Sequence, residues 1–600
     1  MKRGARRSGA RLGGARLGGA RAGGAPAGGA RTGGAHADAA AGVRGERSRK
    51  RLTLVACILG SGIVLLDGTV VNVALPTIQR ALGGGLAGQQ WVVNGYLLTL
   101  GSLILVGGSL GDIFGERRVF ALGVAGFGAA SLACALAPSI GALVAARAVQ
   151  GVAGALLVPS SLAVIVNTFD ASERGGAIGS WTAWGAIAGV LGPLAGGELL
   201  AIASWRWIFI VNVPLALACV TLILIVIPSA PPRAAGARRV DVLGGVLCAS
   251  GLAGPVFALI EQPRLGWHSV AVIAPLLAGV ALLALFTAFE ARAREPMLPL
   301  RLFRRRNFAA GNVQTFAMYA GLAILFFFLV LFLQQVGGYT PLQSGLATLP
   351  VTAVMFVLSR RFGALADRFG PRAFMGGGPL VAALGLLLFQ RVGARVDYLS
   401  EALPALLVFA LGQSLTVAPL TAAVLAGAER EAGIASGVNN AVARVAGLLG
   451  TAAVGAAVSA SFAGALAHRL AGVALGAHAR AAVAQARRLV LGRPDVRGLP
   501  RAQAHALDSA AQAASLHAFH LGMAIAAALV GLGGLIGAAG IRNAPSDPGG
   551  DGGDGGARDA PPVRASDCAG GQLLGAAHAH AAADGAARAI ARVTTSPARS

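Results

Sequence analysis

One carboxylate lies deep inside a long apolar run of this chain. It is Asp67, in Leu66-Asp67-Gly68-Thr69-Val70-Val71-Asn72-Val73-Ala74-Leu75-Pro76. A charge at bilayer depth costs several kcal/mol unless it is paired or neutralised, so such a residue is a functional candidate by default. Taking a carboxylate out of water disfavours its charged form, which lets groups of this kind exchange a proton in the physiological range. A proton-coupled carrier needs that property; the alternative is a fixed helix–helix hydrogen bond. Glu198, Glu261 and Glu290 fall at the ends of apolar runs, where water is expected to reach them.

Two arginines are equally deep, Arg147 and Arg444. Arg stays protonated, so each needs a carboxylate, carbonyl or water-lined partner. Arg147 opens Arg147-Ala148-Val149-Gln150-Gly151-Val152-Ala153-Gly154-Ala155, where Gln150, Gly151 and Gly154 would let another helix approach. A fixed cation there could tune a titrating Asp or hold an anionic substrate group. A structural hydrogen-bond hub is the competing reading, more so for Arg444.

A third constellation occurs twice. Gly108-Ser109-Leu110-Gly111-Asp112-Ile113-Phe114-Gly115-Glu116-Arg117 matches Gly363-Ala364-Leu365-Ala366-Asp367-Arg368-Phe369-Gly370-Pro371-Arg372, with six of ten positions identical and an offset of 255 residues. Asp112 and Asp367 can accept from exposed N–H groups at a helix start, Gly115 and Gly370 allow a tight turn, and Arg117 and Arg372 add positive charge. Such a device could latch one face of the protein shut. A rigid hairpin without a gating role is the plainer alternative.

These residues must be positioned by membrane helices. Of the 600 residues 55% are hydrophobic and 12% charged, and the mean hydropathy is +0.69. Soluble domains carry about a quarter charged residues. Fourteen apolar spans are expected near 52–75, 91–111, 119–137, 141–163, 176–199, 207–227, 240–261, 270–290, 309–335, 344–366, 373–390, 401–425, 434–458 and 516–541. Each approaches or exceeds the roughly 20 residues that cross a bilayer. Loops after even-numbered spans carry Arg117 and Arg118; Arg233, Arg238 and Arg239; Arg301, Arg304, Arg305 and Arg306; and Arg368 and Arg372. Loops after odd-numbered spans are sparser in charge, so the even loops and both termini are expected in the cytoplasm. The net charge of +25 thus reads as topology and a basic tail, and no nucleic-acid partner is expected.

Residues 1–51 and 544–600 read as disordered, low-complexity cytoplasmic tails, the first of them basic. Spans one to six occupy 52–227, and the repeat offset exceeds that length by about 80 residues, room for two inserted spans within 228–300. A second six-span half follows over 301–543, with a long Ala-rich external loop at 461–515 to which no function is assigned. The fold class is an all-α polytopic membrane protein with six, two and six helices. The five cysteines show no CxxC or Cys/His spacing, so neither a disulfide framework nor a metal site is expected.

In the fifth span, Gly185, Gly189, Gly192 and Gly196 recur on one helical face beside Pro193 and Gly197. A smooth glycine face permits close packing, and Pro193 removes one helix hydrogen bond.

Taken together, the chain resembles the major facilitator superfamily in its fourteen-span drug:proton antiporter branch. The match runs over about residues 52–460 and the last span. It is carried by Leu66 to Pro76, Gln90-Trp91-Val92-Val93-Asn94-Gly95-Tyr96, Gly108 to Arg118, Arg147 to Gly154, Gly185 to Gly197, Trp205 to Pro214, Pro296 to Leu300, and Asn440 with Arg444. The resemblance implies an alternating-access carrier of two six-helix halves in a bacterial cytoplasmic membrane, a monomer driven by the proton gradient without a cofactor. It implies Asp67 as the coupling residue, Arg147 as its electrostatic partner, and the glycines of the fifth span as the antiport hinge. Asn72, Gln90, Trp91, Asn94, Tyr96, Gln150, Asn440 and Arg444 become candidates for the substrate cavity. Two departures stand out: Ile113 and Glu116 replace the usual basic residues of the loop motif, and the tenth span holds no acid deep in the membrane. The expected activity is export of a drug, antibiotic or other small amphipathic molecule, with no covalent chemistry and so no enzyme. Uptake by symport, or a membrane sensor that transports nothing, are the competing readings.

Overall fold

The long apolar runs leave the chain one way to satisfy its backbone in lipid, which is helix. The computed structural model describes residues 32–228, 240–294, 296–426, 432–473, 475–487, 489–492 and 494–543. Arg233, Arg238 and Arg239, residues 1–31 and residues 544–600 lie outside that set, so the expected tails are described only in small part. Among the described residues, fourteen helices are long and apolar enough to cross a membrane. They are α1 (Glu46–Leu82), α2 (Gly85–Phe114), α3 (Glu116–Leu136), α4 (Ile140–Thr168), α5 (Glu173–Ile202), α6 (Trp207–Val226) and α7 (Val242–Leu265). The series continues with α8 (Val270–Arg292), α9 (Arg306–Gln335), α10 (Pro341–Phe369), α11 (Pro371–Arg391), α12 (Tyr398–Leu425), α13 (Ile434–Leu470) and α14 (Arg501–Gly540). The contacts described below lie in the unit that begins at Lys50.

Local chemistry sets several helix starts. Ser139 accepts from the amide of Ala142 at the head of α4, and Asp241 from that of Gly244 at the head of α7. Thr340 and Gln343 form a reciprocal capping box at the head of α10. At the two copies of the repeated motif the chain reverses through Gly115 (φ 89°) and Gly370 (φ 85°), a conformation that side chains with a Cβ rarely adopt.

The repeat seen in the sequence is a repeat of packing. In the first half α2 packs on α4, α3 on α4, and α3 on α6; in the second, α10 packs on α12, α11 on α12, and α11 on α14. The halves meet reciprocally, since α2 packs on α13 and α5 on α10. The second helix of each half therefore faces the fifth of the other. The inserted helices α7 and α8 pair with each other, and α7 also lies on both α2 and α13, over one of the two seams. Trp91 of α2 donates from Nε1 to Glu261 of α7 at 3.0 Å, and its ring lies 6.0 Å from that of Phe257.

Glu290 departs from its expected exposure. It is only 2% exposed, and its Oε2 accepts from the amide of Leu298 at 2.8 Å. The chain leaving α8 folds back over it, which a reading of span ends does not foresee. The connection between α13 and α14 is partly helical: α13 runs on to Leu470, a short helix spans Ala477–Ala486, and α14 begins at Arg501. Val490 and Leu491 of this connection are buried in a hydrophobic core to which both halves contribute.

Candidate functional site: a buried charge cluster and the seam between the halves

Asp67 and Arg147 meet. Arg147 Nη1 donates to Asp67 Oδ2 at 2.5 Å, and each side chain is 1% exposed. The pair is only part of the cluster. Arg147 also donates to Gln150 Oε1 (2.6 Å) and, through Nε, to the Val92 carbonyl (3.1 Å). Asp67 Oδ1 accepts from Gln150 Nε2 at 3.0 Å and from Asn212 Nδ2 at 3.1 Å. Ser131 accepts from Gln150 and Asn212 at 2.8 and 3.4 Å. The Arg147 guanidinium stands 4.2 Å from the centre of the Tyr96 ring, and Tyr96 stacks edge-on against Phe127. Five helices contribute: α1 gives Asp67, α2 Val92 and Tyr96, α3 Phe127 and Ser131, α4 Arg147 and Gln150, and α6 Asn212, all in the first half. A buried ion pair is tolerable only when its remaining hydrogen-bonding capacity is filled, and here the neighbours fill most of it.

Of the residues singled out in the sequence, Asp67, Arg147, Gln150 and Tyr96 come together in this cluster. Gln90 and Asn94 do not join it; they line the seam between halves. Gln90 Nε2 donates to the Thr451 carbonyl at 2.5 Å, and the Thr451 hydroxyl donates to Asn94 Oδ1 at 3.0 Å. Nearby, Gln334 donates to the Val73 carbonyl at 2.9 Å and to Ser344 at 2.8 Å, and Gln335 to Gln79 at 3.2 Å. Gln89 also donates to Gln79. These bonds tie α1 and α2 to α9 and α13, and α9 to α10. Asn72 turns back on its own helix, its Nδ2 lying 3.4 Å from the Gly68 carbonyl. Asn440 is buried on α13.

Ser131, Asn212, Gln79, Gln334, Gln335 and Thr451 escape a reading of charged residues, because isolated hydroxyls and amides in apolar spans are common. Asn212 carries the one usable signal, a carboxamide within the apolar stretch Ile208 to Val213.

The glycines of α5 divide between two neighbours. A Cβ at Gly196 would stand 3.3 Å from Val70 of α1, and Gly192 sits against Thr69 and Leu66 of the same helix. Gly197 and Pro193 instead face α10: a Cβ at Gly197 would come within 2.5 Å of Leu342, and one at Gly345 within 2.6 Å of the Pro193 carbonyl oxygen. Gly189 has open space around it, so it does not share the packed face; Gly185 is buried. Backbone contact at Gly345 closes this end of the α5–α10 seam. Gly345→Leu is expected to hold it apart, so that Cys at position 348, where Thr348 is 5% exposed, reacts faster with an impermeant thiol reagent. Equal labelling rates in the presence and absence of the leucine would refute the closure.

Both copies of the repeated motif use their arginine alike. Arg117 donates to the Leu224 carbonyl at the end of α6 (2.7 Å), and Arg372 to the Ala538 carbonyl near the end of α14 (2.7 Å). Each binds the last helix of its own half, where a cation also favours the helix C-terminus. Asp112 and Asp367 are exposed, and Gly108 and Gly363 lie within α2 and α10. Glu116, one of the two departures from the motif, accepts from Asn167 of α4 at 2.6 Å.

The comparisons with known proteins decide the family. The model described as the Major Facilitator Superfamily matches residues 57–451. The chain belongs to the Major Facilitator Superfamily. It is 36% identical over 425 residues to the tetracenomycin C resistance and export protein of Streptomyces glaucescens, covering 69% of this chain and 77% of that one. It is 37% identical over 418 residues to the puromycin resistance protein pur8 of Streptomyces alboniger, covering 69% and 82%. The multidrug resistance protein Stp of Mycobacterium tuberculosis is 36% identical over 411 residues, covering 68% and 76%. Among solved structures, an inward-facing bacterial homologue of the human lysosomal transporter Spinster shares the fold, with a TM-score of 0.55 at 18% identity, covering 83% of this chain and 99% of that one. Membership in this superfamily makes the chain a multi-pass membrane transporter.

Proposed function

We propose that this transporter exports a drug-like or antibiotic molecule across the bacterial cytoplasmic membrane in exchange for protons. The observation that carries the reading is the buried Asp67–Arg147 pair, held at 2.5 Å among Gln150, Ser131 and Asn212. Protonating Asp67 would cancel the ion pair and leave Arg147 to its neutral partners. The packing of α1 against α5 and of α5 against α10 offers a route by which that change reaches the seam between the halves. The resistance and export relatives support outward flux of an antibiotic.

With the even-numbered loops inside, as positive-inside bias predicts, the seam residues Gly345, Gln334, Gln335 and Thr451 lie toward the outside. These contacts would then close the outer end of the seam, while Asp112 and Asp367 are exposed at the cytoplasmic ends of α2 and α10. On switching, these carboxylates would dock on helix starts of the opposite half, while Arg117 and Arg372 keep each half rigid.

The test is flux direction. Inside-out membrane vesicles containing the protein should accumulate tetracenomycin C or puromycin when their interior is acidified, and each drug should dissipate the gradient. Cells expressing the chain should tolerate at least fourfold more of one of these drugs. Accumulation in right-side-out vesicles down an inward proton gradient would instead establish symport.

A further inference from the structure

Among the described residues, the other deep arginine has no counter-charge. Arg444 on α13 is partly buried, and its Nε is shielded from solvent with no hydrogen-bond partner. Its electrostatic neighbours are two phenols, Tyr96 of α2 and Tyr319 of α9. Among the described residues, Asp67 and Glu290 are the only buried acidic side chains, and both are engaged elsewhere, with Arg147 and with the Leu298 amide. The position is the seam itself, because a Cβ at Gly101 of α2 would stand 3.2 Å from the Cβ of Arg444. Two helical turns along the same seam, Asn94 is fully buried. Its Oδ1 takes the Thr451 hydroxyl, while its Nδ2 has no acceptor. Two donors without acceptors thus lie on one inter-half surface, about 10 Å apart along the helices.

An unpaired cation inside a membrane protein costs several kcal/mol, and truncating the group that compensates a buried charge is costly in turn. Leaving Arg444 uncompensated therefore makes sense where a ligand supplies the anion. We infer that Arg444 forms the substrate site of this transporter and selects an organic anion, an aromatic carboxylate or phenolate, whose second acceptor reaches Asn94. This rests on the export reading above and narrows it. A guanidinium binds such oxygens as a planar fork, which a lysine cannot reproduce. The same charge repels cationic drugs. An anion moving out against a proton moving in also transfers positive charge inward twice over, so an inside-negative potential would help drive the cycle.

The probes are two dyes on one xanthene skeleton: fluorescein, an anion at neutral pH, and tetramethylrhodamine ethyl ester, a cation. Fluorescence anisotropy with the purified full chain in detergent is expected to show fluorescein binding and at least tenfold weaker binding of the cation. Arg444→Gln should weaken fluorescein binding at least tenfold, and Arg444→Lys should retain part of it. Thermal unfolding separates this from a structural role, since Arg444→Gln removes an uncompensated charge and should leave the melting temperature unchanged or raise it. Absent fluorescein binding, binding unchanged within twofold in Arg444→Gln, preference for the cation, or a marked fall in melting temperature would each overturn the assignment. Binding as expected, without gradient-driven movement of fluorescein in vesicles, would leave the site standing and remove the transport reading beneath it.

Discussion

Vesicles carrying Asp67→Asn are expected to lose substrate-dependent proton movement entirely while the protein still inserts and folds. Asparagine keeps the shape of the side chain and can still accept from Gln150 and Asn212, the donors at 3.0 and 3.1 Å. It cannot take up or release a proton, and it imitates the neutral carboxyl. Arg147 would keep Gln150, the Val92 carbonyl and the face of Tyr96. Arg147 is then left charged and buried without its carboxylate, so the stability cost should reach the lower end of the range for a broken buried pair, about 3 kcal/mol. The decisive measurement is drug-induced proton release, read with a pH-sensitive dye inside the vesicles. Release at the wild-type rate from Asp67→Asn would end the proton-coupling assignment, whatever happened to drug resistance.

Arg147→Gln should be the more damaging change to the fold. It leaves Asp67 charged and 1% exposed, with only amide donors for company. Breaking one side of a buried pair costs about 3–5 kcal/mol, and unfolding in detergent should show a large fall in midpoint. The double variant Asp67→Asn/Arg147→Gln removes both charges and should recover much of that loss. The coupling energy between the two changes is expected to exceed about 1 kcal/mol, beyond the few tenths at which independent sites add. Simple additivity would mean that the two side chains do not form the pair seen here. The contrast with Arg444→Gln is informative, because the two deep arginines are alike in sequence and differ in the structure by one carboxylate.

Much of the architecture was readable because its signals are local or periodic. Fourteen apolar runs give fourteen helices, since a lipid-exposed backbone has to bond to itself. The 255-residue offset of the repeated motif separates the halves by more than six helices, and the extra pair α7–α8 fills that interval. Asp67 and Arg147 could be picked out because a charge in an apolar run is conspicuous.

Which polar groups meet was a different matter. Asn212 lies 145 residues from Asp67, and Thr451 lies 361 from Gln90. No sequence pattern links a hydroxyl on one helix to a carboxylate on another, because the rotation of each helix about its axis is set by packing of small residues at contacts such as Gly192 with Thr69. Gln90 and Gln150 look alike in the chain, yet one seals the seam and the other braces the charge pair. The burial of Glu290 likewise depends on a turn that returns Leu298 over the end of α8. By itself the sequence determined the class of molecule, the number of spans, the duplication and the two deep charges, Asp67 and Arg147, that the structure pairs. Tertiary structure alone decided which charge is paired and which stands bare, because compensation at bilayer depth depends on helices that come together only when the bundle packs.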